Sequence, residues 1–279
     1  MNNPVEEQVA QYYSHGTLEE TILEALKAAG KNPDKLELAD LEPFDEFHAG
    51  GREATVEFGA QMGLGPGSYV LDVGSGVGGP ARYFAQALGW RVVGVDLTRE
   101  FVEVATSLSK RAGMGGSVSF QQATAIAIPL ESRTFDGAYT IHVAMNVEEK
   151  VSLFREVHRL LKPGGTFGIF DIMREGEGAL TFPLPWARTK DTSFVETVET
   201  YREFLQSAGF KVERVRNRRN FTAEFFQKLQ ARMAANGGKL PPLGLHLLGG
   251  REWPQRIQNF GADFGSGRVA PVEIICRAN

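Results

Sequence analysis

The chemistry starts in the run Asp72-Val73-Gly74-Ser75-Gly76-Val77-Gly78-Gly79. A glycine-rich turn between a strand and a helix lets the backbone approach a ligand at the helix's amino end. Gly74, Gly76 and Gly79 also satisfy G-x-G-x-x-G, so the glycines by themselves admit a dinucleotide. Asp72 weighs against that. Two residues before Gly74, a carboxylate suits a cationic amino-acid tail and repels a pyrophosphate. Asp96 closes the next apolar run, where an acid hydrogen-bonds ribose hydroxyls, a feature both kinds of ligand share. For both acids the plainer alternative is a strand-end carboxylate capping nearby amides.

Short apolar runs alternating with helical patterns must hold these residues. Strands are expected at 69–73, 91–96, 118–120, 135–143, 166–170, 210–215 and 271–277. Helices are expected at 80–88, 99–112, 148–161 and 197–208, which implies a mainly parallel sheet covered on both faces. Ahead of this core, 17–29 reads as a helix opened by a Thr17/Glu20 capping box. Pro33 and Pro43 make 31–47 an irregular arm, and a helix spans about 51–62. About fifty residues, 218–268, separate the last two strands, too many for a plain loop. The expected organisation is a helical arm or cap (1–50), a ligand-binding core (51–217), a helical insertion or cap (218–268) and a final core strand (269–279).

With Leu161-Lys162-Pro163-Gly164-Gly165 turning into the fifth strand, the Asp-x-Gly-x-Gly-x-Gly run and the later acid resemble the class I methyltransferases that use S-adenosylmethionine (SAM). Phe47-His48-Ala49-Gly50-Gly51-Arg52 and His142-Val143-Ala144-Met145-Asn146 resemble a bacterial subgroup grouped with sarcosine/dimethylglycine N-methyltransferases. The resemblance implies an α/β, Rossmann-like, seven-stranded and mostly parallel sheet with helices on both faces. Its last strand is antiparallel between strands five and six, and a helical cap is added. It further implies SAM as cofactor, S-adenosylhomocysteine as product and contacts from Asp72, Gly74, Ser75, Gly76, Gly78, Gly79, Asp96 and Leu97. In such enzymes an acid after strand three receives the adenine amino group; this chain has Thr124-Ala125, an uncharged pair that leaves the adenine contacts open.

Other residues carry two readings each. His142 and Asn146 follow strand four, at the sheet edge where ligands bind. His142 either lines the cofactor pocket and orients an acceptor or caps the next helix, and Asn146 either donates to an acceptor or does not reach it. Asp171, ending strand five, is equally ambiguous. The resemblance brings an N-terminal tyrosine, Tyr12 or Tyr13, toward the sulfonium or the acceptor amine; both otherwise anchor the arm. Phe47 and His48 either face substrate or pack the cap, and Trp186 either walls the acceptor pocket or wedges a loop. His142 and Tyr13 are the candidate catalytic groups; Tyr12, His48, Asn146 and Trp186 are the candidate substrate contacts.

Composition bounds the partners. A net charge of −4 over 279 residues argues against a dedicated nucleic-acid binder. The basic cluster Arg214, Arg216, Arg218 and Arg219 reads as a solvated strand end before an anion site. A single cysteine, Cys276, lies in an apolar run and reads as a buried strand thiol. No run approaches the ~18 apolar residues of a membrane span and no signal segment is visible, so a cytoplasmic enzyme is expected. The five histidines lack metal-ligand spacing, so the expected reaction is metal-independent in-line transfer to a small molecule. The favoured acceptor is the nitrogen of a small amine or amino acid. A phenol, quinone or isoprenoid-like acceptor methylated at oxygen or carbon is the nearer alternative, and a nicotinamide-dependent oxidoreductase the more distant one.

Overall fold

The computed structural model describes residues 3–239 and 241–279, so positions 1, 2 and 240 of the expected arm and insertion lie outside the described residues. Asn3 accepts the Val5 amide at 3.0 Å and Pro4 takes the first helical position, which starts a helix that the sequence reading left out, α1 (Pro4–Tyr13). Tyr12 and Tyr13 therefore end a helix. There follow α2 (Leu18–Ala28), α3 (Leu38–Asp45), α4 (Gly51–Gln61), β1 (Tyr69–Val73), α5 (Gly79–Leu88), β2 (Arg91–Asp96) and α6 (Arg99–Arg111). Next come β3 (Val118–Gln122), β4 (Phe135–Ile141), α7 (Lys150–Leu160), β5 (Leu161–Arg174), α8 (Val198–Ser207) and β6 (Phe210–Asn217). The chain closes with α9 (Arg219–Ala235), α10 (His246–Gly249), α11 (Trp253–Gly265) and β7 (Val269–Ala278).

The strands form a seven-stranded sheet ordered β3-β2-β1-β4-β5-β7-β6, with β7 antiparallel to both β5 and β6. This is the expected Rossmann-like arrangement. Successive strands move outward from β1 to β3, and the chain then returns to lay β4 on the other side of β1. That reversal opens a crevice beyond the carboxyl ends of β1, β2 and β4.

Alternation along the strands supplies a core on each face. Leu71 and Val73 of β1 pack with Leu153, Phe154 and Val157 of α7 and with Tyr201 and Leu205 of α8. Val70 joins Phe58 of α4, Met62 just after it and Phe84 of α5 on the opposite face. The arm closes against the core through Leu18, Ile22 and Leu26, which meet Phe101, Val104 and Leu108 of α6.

Three local expectations are corrected. Thr17 makes no side-chain cap; instead the Glu100 carboxylate of α6 accepts the amides of His15, Gly16 and Leu18 at 2.5, 3.0 and 2.9 Å. Residues 38–45 are helical despite Pro43, because a Glu37/Asp40 capping box starts the helix and Leu41 and Phe44 are buried. The arginine cluster is not simply solvated. Arg216 and Arg218 reach Glu57 at 3.0 and 2.7 Å and the buried Glu273 at 2.7 and 3.3 Å, and Arg219 pairs with Glu175. Cys276 is buried, as expected, and burial pushes its thiol well above the usual range.

Candidate active site

A cavity of about 1210 Å³, counting its open mouth, fills the crevice at the carboxyl ends of β1, β2 and β4. Asp72, Gly74, Ser75, Gly76, Asp96, Leu97 and Ala125 line it, with His142, Asn146, His48 and Tyr13.

Asp72 is a register neighbour of Tyr139 across the β1–β4 ladder, and the Tyr139 hydroxyl donates to its Oδ2 at 2.9 Å. Oδ1 has no partner among the described residues. Burial raises the Asp72 carboxyl to about 8, the Tyr139 bond opposes that rise, and the Asp96 charge adds to it. A cationic ligand group is what would bring such a carboxylate back to its ionised form. Asp96 accepts the amides of Gly76 and Thr98, each at 2.8 Å, which aims it into the same crevice; its carboxyl is also raised, mainly by burial.

The glycines divide by task. Gly76, at φ +52°, has nothing within 4 Å of an added Cβ, so its bare backbone faces open space. Ser75 Oγ is buried and unpartnered there. Gly74 needs its glycine for packing as well: a Cβ would sit 2.3 Å from a Val143 methyl. Gly78 and Gly79 do not line the cavity. A Cβ on Gly78 would meet the Phe120 ring at 2.7 Å, and one on Gly79 would meet the Asp45 carbonyl oxygen at 2.0 Å. Both glycines are closely packed, and the Gly79 contact docks α3 against the start of α5. The same joint holds the buried Arg82–Asp45 pair at 2.5 Å.

At the other end of the cavity, His142 follows β4 at φ +55°, a conformation costly for a residue with a Cβ. Its backbone amide donates to Phe170 at 2.6 Å, and its ring stands 5.7 Å from that of His48. The Nε2 atom is buried with no partner, and burial, followed by the nearby His48, holds the ring well below the ordinary histidine pKa. His142 is thus a neutral imidazole that lines the cavity, its Nε2 turned inward without a partner. His48 is differently placed: its Nε2 lies 2.8 Å from the Glu46 carboxylate and 2.9 Å from the Thr55 hydroxyl.

Several other expected site residues are engaged by partners within the chain. Asn146 lines the cavity, but both its amide hydrogens are spent on the carbonyls of Trp186 and Thr192, at 2.7 and 3.0 Å. Its oxygen accepts the Tyr13 hydroxyl at 3.0 Å, so it cannot donate to an acceptor. Burial holds the Tyr13 phenol well above its usual range, which makes it a donor and not a base. Tyr12 lies outside the cavity, donating to the Leu184 carbonyl at 2.5 Å under the Arg256 guanidinium. Trp186 is buried against Phe260, 74 positions along the chain, and does not line the cavity. Asp171 does not line the cavity either; it accepts the Tyr201 hydroxyl at 2.7 Å. Thr124 does not line the cavity, and its hydroxyl donates to Glu6 of α1, which does.

Comparison with known proteins agrees with this architecture. Residues 71–169 match a family model described as a methyltransferase domain. A phosphoethanolamine N-methyltransferase of Triticum aestivum is 35% identical over 187 residues, which cover 66% of this chain and 35% of that protein. The chain spans about a third of the length of the first curated relatives it matches. A solved structure called a putative sarcosine dimethylglycine methyltransferase, from Galdieria sulphuraria, superposes with a TM-score of 0.63 at 17% identity, covering 81% of this chain and 83% of that one. A geranyl diphosphate C-methyltransferase from Streptomyces coelicolor superposes with a TM-score of 0.69 at 17% identity, over 99% and 98% of the two chains. These two likenesses concern the fold. Residues 71–169 thus match a methyltransferase domain, and the chain has the Rossmann-like fold of the methyltransferases it superposes on.

Proposed function

We propose that the chain transfers a methyl group from SAM to the nitrogen of a small amine, by in-line displacement. The observation that carries this reading is Asp72, a buried carboxylate with one free oxygen beside the bare backbone of Gly76. A SAM molecule would place its ammonium on Asp72 and its ribose hydroxyls on Asp96, with the backbone of Ser75 and Gly76 along its length. The base would lie against Leu97 and Ala125. When bound, SAM supplies a methyl group already activated on a sulfonium, so the protein's share is alignment and exclusion of water. The arm (residues 3–50) and the insertion (218–239 and 241–268) act as caps that close over the two reactants.

His142 then accepts a hydrogen bond from the acceptor amine and holds its lone pair toward the methyl carbon. A neutral imidazole suits that task because an amine must arrive unprotonated. Among the described residues no lysine or arginine lines the cavity, whereas Glu6, Asp72 and Asp96 do. The lack of a cation there favours an amine without a phosphate or a carboxylate, and so an amine over an amino acid. Phe47, stacked on Trp253 with ring centroids 5.3 Å apart, also lines the cavity and supports a second reading, an apolar ring methylated at oxygen or carbon.

An assay for S-adenosylhomocysteine over a panel of neutral amines, amino acids, phosphorylated amines and phenols tests this. Product with neutral amines and little with phosphorylated ones is expected. Turnover confined to phosphorylated amines would overturn the acceptor assignment, and turnover confined to phenols would favour the second reading.

A further inference from the structure

We propose that Glu6 of α1 is the hydrogen-bond acceptor that selects the cofactor's base, which makes base recognition depend on closure of the helical arm; this rests on the SAM reading above. Leu97, Phe101, Ala123, Ala125 and Ile126 line one end of the cavity. They form an apolar slot for a flat ring but offer no side-chain group that distinguishes one ring substituent from another. An adenine presents an exocyclic amine, which needs an acceptor once it leaves water.

The carboxylates that line the cavity divide clearly. Asp72 is held by Tyr139, Asp96 by two backbone amides, and Asp45 by Arg82. Glu148 and Glu149 are exposed at the mouth. Glu6 remains. It is half-buried, and the Thr124 hydroxyl, from the loop after β3, donates to its Oε1. Its Oε2 has no partner among the described residues. Thr124 fixes the carboxylate beside Ala123 and Ala125, leaving one oxygen free for an amine on the ring. A ring carrying a carbonyl in place of that amine would set oxygen against oxygen and be rejected.

The residue's position on α1 gives the contact a second consequence. Seven residues of helix, about 10 Å, separate Glu6 from Tyr13. One rigid element therefore meets the base at one end and the Asn146 turn, next to His142, at the other. Seating the base and completing the reacting end become a single event.

Calorimetric titration of the full chain with S-adenosylhomocysteine and S-inosylhomocysteine tests this, using the parent, Glu6→Ala, Glu6→Gln and Thr124→Val. The parent is expected to prefer the adenosyl ligand by about 10- to 100-fold, the range of a charge-assisted hydrogen bond. Glu6→Ala should bring the two ligands to within about threefold, mainly by weakening the adenosyl ligand. Glu6→Gln keeps a neutral acceptor and should fall between, as should Thr124→Val, which frees the carboxylate to rotate. Thermal melts report whether each variant is folded. An undiminished preference in folded Glu6→Ala, or no preference in the parent, overturns the role of Glu6. A parent that binds neither ligand overturns the SAM reading instead.

Discussion

The Tyr13 hydroxyl donates to Asn146 Oδ1 at 3.0 Å and so ties the last residue of α1 to the turn after β4. Because Asn146 spends both amide hydrogens on Trp186 and Thr192, its oxygen has a fixed direction, and Tyr13 is the matching donor. Tyr13→Phe removes that tie while keeping the ring in place. We expect a loss of about 1 kcal/mol in stability, read by denaturant melts, and a fall of about fivefold in kcat/KM. An unchanged kcat/KM would mean that the arm closes without this bond.

Asp72 gives a prediction with a defined sign. Its folded carboxyl is raised to about 8, from an ordinary value of 3.8, so between those limits the folded chain binds a proton that the unfolded chain releases. Stability of the ligand-free protein from this group is therefore greatest at low pH and is lost as pH rises toward 8. Asp72→Asn abolishes the effect, so its melting temperature should exceed the parent's by a margin that widens from pH 5 to pH 8. The same substitution should remove the stabilisation that SAM confers on the parent. In the parent, a cationic tail binds the ionised carboxylate, so binding at pH 7 should release protons, visible as a titration enthalpy that varies with the buffer's ionisation enthalpy. A widening margin in the opposite direction would contradict the burial argument.

The joint between α3 and α5 bears on stability. Arg82 and Asp45 are both fully buried and pair at 2.5 Å, and Arg82 also donates to Ser109 at 3.0 Å. Asp45→Ala leaves the guanidinium buried without its counter-charge, at a cost of about 3–5 kcal/mol. Denaturant unfolding measures it. A cost under about 1 kcal/mol would show that the arm repacks to admit water.

His142 separates acceptor binding from cofactor binding. His142→Phe keeps a flat ring but has no nitrogen, and should lower kcat/KM for an amine acceptor about tenfold or more, the cost of one directed hydrogen bond. The affinity for S-adenosylhomocysteine should stay within about threefold of the parent. Burial keeps the parent imidazole neutral well below the ordinary histidine range, so its own titration should leave the pH–rate profile flat from pH 6.5 upward. Equal losses in both measurements would assign His142 to the cofactor instead.

Much of this was legible in the sequence. The bounds of β1 and β2 follow from short apolar runs closed by Asp72 and Asp96, and the glycine run marks the turn between strand and helix. What was hidden depends on distance along the chain. Glu6 meets Thr124 across 118 positions, and Asp45 meets Arg82 across 37, pairings that no local pattern encodes. Gly78 and Gly79 look the same as Gly76 in a motif, yet only the fold reveals that Phe120 and Asp45 press against them. The α1 helix did leave a local signal, since Asn3-Pro4 is a cap followed by a first-turn proline.

Calorimetric titration of the purified chain with SAM and, separately, with a reduced nicotinamide dinucleotide tests the central claim most directly. Saturable 1:1 binding of SAM, lost in Asp72→Asn, with no binding of the dinucleotide, is the result predicted. Binding of the dinucleotide without any binding of SAM would contradict it.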